Sequence, residues 1–128
     1  MTFTLSRLMS TATASYGVYA LAQPRHLGQA VDSANAADYD VLAQTYGARD
    51  LAVSTLGILG RSEQTVTAAM LMRISMDLAD GAILSVKAQD DETRNKVLGI
   101  TVGWAALNTL ALLVDRRRAR RSRTIEIA

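Results

Sequence analysis

Residues 97–123 read VLGITVGWAALNTLALLVDRRRARRSR, and this stretch decides the fold class. From Val97 to Val114 there is no charged side chain. A helix over that stretch rises about 27 Å, close to the roughly 30 Å of a bilayer's hydrocarbon core. Arg116, Arg117, Arg118, Arg120, Arg121 and Arg123 follow directly. An apolar helix ending in such a block reads as a membrane span whose flank stays cytoplasmic. A basic run can also contact nucleic acid. With no helix-turn-helix spacing, no aromatic stacking platform and one Phe, no nucleic-acid partner is expected.

Average composition is nearly silent on insertion: hydrophobic content is 49% and mean hydropathy +0.11. What matters is where the charges lie. The formal net charge of +2 hides a basic end and an otherwise acidic chain. At 128 residues the chain is one domain, read as a membrane domain over 1–115 and a basic cytoplasmic tail over 116–128. There is no cysteine, which excludes disulfides, thiolate metal sites and cysteine nucleophiles. The one histidine, His26, falls beside Pro24 and Arg25 in an expected loop and reads as solvated.

Working back from the decisive stretch, four segments read as helices: about Leu5–Ala22, Tyr39–Leu59, Gln64–Val86 and Asn95–Val114. Each is near the length needed to cross a bilayer. Pro24 follows the first. Gly60 is expected to cap the second in the left-handed conformation, and Ser62 to cap the third. The polar run Ala88–Arg94 separates the last two. The expected fold is an all-α, four-helix transmembrane bundle. Positive-inside bias places both termini in the cytoplasm, with 25–38 and 87–94 outside. Two alternatives stand beside it. Arg7, the following apolar stretch and Ala20-Leu21-Ala22 resemble a signal peptide, although that stretch is weakly hydrophobic and holds two tyrosines. The amphipathic middle helices also suit a soluble bundle, but the uncharged last helix and its arginine block do not.

The middle helices carry the candidate chemistry. In Arg73-Ile-Ser-Met-Asp77-Leu-Ala-Asp80 the charges are four and three residues apart, and so share one helix face. Tyr46, Arg49, Asp50 and Val53 share a face on the second helix. Thr101, Trp104, Asn108 and Asp115 form a polar stripe on the fourth, while Ser15, Tyr16 and Tyr19 are the first helix's offering. Polar stripes in a membrane turn inward. Five isolated charges would cost more than about 10 kcal/mol on insertion scales. Arg49 and Arg73 can offset this by gripping carboxylates bidentately. Two arginines facing three aspartates leave one negative charge over, so one aspartate is expected to hold a proton. That makes Asp77, Asp80 or Asp50 a candidate general acid, with Arg49, Arg73, Tyr46, Trp104 and Asn108 as candidate ligand contacts. The plainer reading is that the Arg–Asp pairs only set which helices meet. For Trp104 the plainer reading is packing or interfacial anchoring, and for Met70, Met72 and Met76 adaptable packing. Asp77 and Asp80 could hold a hard cation, but without clustered His or Cys no metal is expected. Phosphate-loop, dinucleotide and HExxH signatures are absent, and no cofactor is expected. Gly99 and Gly103 form a GxxxG pattern that permits close helix approach, within the bundle or in a homo-oligomer.

The Gly47-Ala48-Arg49-Asp50-Leu51 element, followed by Arg73, Asp77 and Asp80, resembles a family of small four-helix bacterial and fungal membrane proteins classed as a domain of unknown function. The resemblance covers most of residues 5–114. It implies a four-helix membrane bundle, puts weight on Arg49, Asp50, Arg73, Asp77 and Asp80, and implies no established reaction. The functional expectation is a membrane protein binding a lipophilic small molecule, with isomerase or cyclase chemistry as the catalytic form. The alternative is an accessory or scaffold subunit. An ion pathway has little to support it.

Overall fold

The computed structural model describes residues 3–127, with side chains to residue 125. The chain is all-α, with no strand among the described residues. Its helices are α1 (Thr4–Ala22), α2 (Arg25–Val31), α3 (Asp40–Leu59), α4 (Glu63–Lys87) and α5 (Asp91–Ile127). The 3-10 segment Ser33–Tyr39, kinked at Asn35, joins α2 to α3. The four expected helices appear within a residue or so at most boundaries, but the count is five. The segment expected as an external loop is helical: Pro24 starts α2, and the Gln89 side chain accepts hydrogen bonds from the Ser33 amide and hydroxyl at 3.0 and 3.2 Å. These bonds dock the segment onto the α4–α5 turn. The arginine block is a continuation of α5, which at 37 residues is about 55 Å long. Ala119, inside the block, is buried.

α1 packs chiefly on α3, α4 on α5, and α3 on α4. The first pairing is set by small residues. Ser6, Ser10, Thr13, Gly17 and Ala20 form the buried face of α1; of the expected stripe, Ser15 and Tyr19 face outward, whereas Tyr16 borders a cavity between the helices. Gly17 and Gly47 meet backbone to backbone: a Cβ on either would come within 2.8 Å of the other's carbonyl oxygen. Glycine is required there by the closeness of the helices.

Helix ends are satisfied from a distance. No local side chain caps α1, and its first turn has no acidic residue. Instead the fully buried Asp115 of α5 accepts the Ser6 amide at 2.6 Å and the Leu5 amide at 3.3 Å. Asp115 thus serves the helix start rather than extending the site stripe. At the other end of α3, the Arg7 guanidinium donates to the carbonyls of Ile58 and, at 2.8 Å, Gly60. With those carbonyls occupied, Gly60 takes an extended conformation (φ −56°, ψ 129°) instead of the expected left-handed one. Ser62 does cap α4, accepting the Thr65 amide at 3.1 Å.

Two apolar clusters flank a charged layer. One contains Phe3, Val66, Met70, Ala111 and Leu112; the other Leu27, Val31, Ala43, Tyr46, Leu84 and Val97. Among the described residues, one helix, α5, is long and apolar enough to cross a membrane.

Candidate functional site

Between the apolar clusters the charges form one continuous ladder. Arg49 of α3 grips Asp80 of α4 with both terminal nitrogens, at 3.0 and 2.5 Å. The same guanidinium reaches Asp50 at 3.3 Å and lies 4.7 Å over the Tyr46 ring. Arg73 continues the series. Its Nη1 is 2.7 Å from Asp50 Oδ1, an ion pair by distance though off the line of a hydrogen bond, and its Nη2 is 3.1 Å from Asp77. Asn108 of α5 ends the ladder, with Nδ2 at 3.5 Å from the second Asp77 oxygen. The sequence of signs is Asp80–Arg49–Asp50–Arg73–Asp77. Arg49 forms the expected bidentate pair, whereas Arg73 bridges two carboxylates, because Asp50 and Asp77 approach it from different helices.

The three carboxylates are not equivalent. Asp80 receives two contacts from one guanidinium, and Asp50 one from each arginine. Asp77 receives one guanidinium contact and the long amide contact. It is the least compensated of the three. All three carboxylates face guanidiniums, an arrangement unlike a cation site, which needs free oxygen ligands.

The ladder forms one wall of a cavity of about 250 Å³. Asp50, Arg73, Asp77 and Asp80 supply charge, Tyr46 and Trp104 aromatic surface, and Leu84, Val97 and Ile100 an apolar side. Of the expected site residues, Arg49 and Asn108 touch the ladder without lining this space. The buried Tyr46 hydroxyl and Arg73 Nε, both of lining residues, have no hydrogen-bond partner among the described residues, and Arg73 Nη1 has only its ion pair. Thr13 is a third such residue, with its hydroxyl unpartnered and the residue fully buried. Buried groups of this kind are exceptions that ask for an explanation.

Two polar lining residues, Thr13 and His26, were not among those expected from sequence. Thr13 had only its place in a small-residue stripe as a signal. His26 sits on α2, folded back by Pro24, with its ring 5.5 Å from that of Tyr16 and 4.9 Å from that of Tyr19. Its Nδ1 is 2.6 Å from the Gln23 carbonyl, which can only accept, so Nδ1 carries a proton. Nε2, at 2.9 Å from the Tyr16 hydroxyl, accepts from it in the neutral ring. The expected solvated loop histidine is therefore part of the cavity's rim.

No known protein family, curated protein or solved structure matches this chain.

Proposed function

We propose that the chain is a multi-pass membrane bundle that binds a lipophilic small molecule carrying a hydrogen-bonding group in the ion-paired cavity. The observation that carries this is the inversion of charge. Along α3 and α4, from Val41 to Leu59 and from Ala68 to Val86, every charged residue is buried or half-buried. The exposed residues of those stretches are uncharged and include Leu56, Leu59, Leu71, Leu78 and Ile83. Such a surface suits lipid, and such an interior does not suit a water-soluble core. Hydropathy averages miss α3 and α4 because they count the inward charges. Exposed hydroxyls are also hidden. Thr11, Ser15, Thr45 and Thr55 each donate to a carbonyl four residues back, as lipid-facing hydroxyls need to. Both termini lie in the cytoplasm, placed by the arginine block.

Within this reading the ligand's polar group pairs with the Tyr46 hydroxyl and Arg73, and its carbon frame lies against Trp104, Val97 and Ile100. Asp77, the least compensated carboxylate, is the residue placed to exchange a proton with it. The reaction class is acid/base isomerisation or cyclisation, in which no redox group is required. The test is organic extraction of the purified full-length chain and mass spectrometry of what it carried. A small molecule enriched near one per chain, retained by Asp80→Asn and lost on Trp104→Leu and Asp77→Asn, is the expected result. If nothing is enriched and all three variants fold like the wild type, the ligand reading fails.

A scaffold reading is favoured by a separate observation. Gly99 and Gly103 have open space where a Cβ would stand. The GxxxG face of α5 is therefore unused inside the bundle, leaving it available for a partner helix or a second copy. Co-purification of a larger assembly that is lost on Gly99→Leu would select this reading.

A further inference from the structure

We propose that the groove between α4 and α5 at the arginine-rich end is a specific site for one anionic phospholipid, resting on the membrane reading above. The groove is lined by Leu71, Leu112, Leu113, Arg116, Arg117 and Arg120 and encloses about 470 Å³. Its composition is split along the helix axis. The leucines come first and the arginines follow within one turn, so an apolar floor leads straight to a cluster of guanidiniums. Leu71 and Leu113 are about half exposed. A lipid has the same order of parts: acyl chain, then phosphate.

The arrangement depends on α5 staying helical through its basic run. Helical spacing places Arg116, Arg117 and Arg120 on the arc that carries Leu113, while Arg118 faces away and Arg121 falls beyond the Arg117 edge, both outside the lining. Arg116 and Arg120 are four residues apart, a repulsive spacing on an isolated helix. Neither they nor Arg117 has a carboxylate in ion-pair distance among the described residues. The two nearby acids are committed elsewhere: Asp115 accepts the α1 amides, and Glu63 pairs with Arg123 at 3.2 Å. A phosphate monoanion or diester would relieve the repulsion, and guanidiniums bind phosphate oxygens in parallel pairs. The neighbouring groove, which contains Glu63 beside Arg116 and Arg123, is electrostatically mixed and fits an anion less well.

The test separates a groove from a merely basic tail. Full-length protein in neutral detergent is offered equal dioleoyl phosphatidylglycerol and dioleoyl phosphatidylcholine, and retained lipid is counted by native mass spectrometry. The wild type is expected to retain one phosphatidylglycerol in preference. The pair Arg116→Gln with Arg120→Gln is expected to lose about 25-fold in that preference, at about fivefold per arginine. The pair Arg118→Gln with Arg121→Gln removes the same charge from outside the groove's lining and is expected to lose less than about fivefold. Should the first pair fail to fold, Arg120→Gln alone is read against Arg121→Gln. Equal losses from the two pairs, or no preference in the wild type, overturn the proposal. So does full competition by free glycerol phosphate at the lipid's concentration, which would assign the site to a soluble phosphate. Carbonate extraction of native membranes tests the membrane reading separately. Resistance without lipid preference overturns the groove alone, whereas preference in a carbonate-released chain supports the groove and overturns the membrane reading.

Discussion

The carboxylate of Asp115 is the N-terminal cap of a helix that begins more than a hundred residues earlier, through its 2.6 Å bond from the Ser6 amide. α1 has no cap of its own, so α5 supplies both the acceptor and the negative charge that the helix start favours. Asp115→Ala strands the Leu5 and Ser6 amides in a buried site and is expected to destabilise by about 1–3 kcal/mol. Asp115→Asn keeps an acceptor and is expected to cost less. Thermal unfolding of both variants in detergent, followed by circular dichroism, ranks them; equal melting of Asp115→Ala and wild type would refute the cap.

Arg73 joins two buried carboxylates, and Arg73→Met would leave Asp77 without its guanidinium and Asp50 with Arg49 alone. Breaking a buried pair from one side costs about 3–5 kcal/mol. The double variant Arg73→Met with Asp77→Leu removes the stranded charge and is expected to recover most of that loss. Recovery of stability without recovery of bound small molecule would separate the ladder's structural role from its binding role. A double variant no more stable than Arg73→Met would show that the ladder is not a set of compensating pairs.

Glycines divide into two groups. Gly17→Ala pushes a Cβ against the Gly47 carbonyl and the Leu51 amide of α3, where backbone must move. Loss of stability is expected at about 1–3 kcal/mol, the range for overpacking. Gly103→Ala meets nothing and is expected to be neutral or to stabilise by up to about 1 kcal/mol through helix propensity. Melting temperatures of the two variants should move in opposite directions or differ clearly in size.

Outside the proposed spans, the Arg25 side chain donates to Asp40 at 3.0–3.3 Å and holds that carboxyl below its ordinary value of 3.8. A lowered carboxyl contributes stability that is complete above the unfolded value and disappears as pH falls through the folded one. The pair's contribution should therefore be complete and constant from about pH 5 to 8 and fade only below about pH 4. Arg25→Gln is expected to lower neutral-pH melting slightly, with the difference from wild type vanishing as pH falls below about 4. Arg25 is exposed and Asp40 only half-buried, so added salt should shrink the difference. A large effect of Arg25→Gln at pH 7 would contradict this account.

Much of the frame was legible in the sequence because it is local. The uncharged run from Val97, the punctuation at Pro24 and Ser62, and the three-and-four spacing of Arg73, Asp77 and Asp80 all follow from helical periodicity. The same spacing brought Tyr46, Arg49 and Asp50 to one face. What periodicity cannot supply is the partner. Whether Arg73 would chelate one carboxylate or bridge two depended on how α3 crosses α4, which neither helix's own period fixes. The second short helix escaped notice because its seven residues are too few to show a period, and its docking rests on Gln89 far along the chain. For the same reason Asp115 read as the end of a polar stripe and His26 as a loop residue. Sequence determined which residues could be buried together, through their faces and their charges. Tertiary structure decided which of them touch, because each long-range contact is the product of packing between helices that the sequence describes only one at a time.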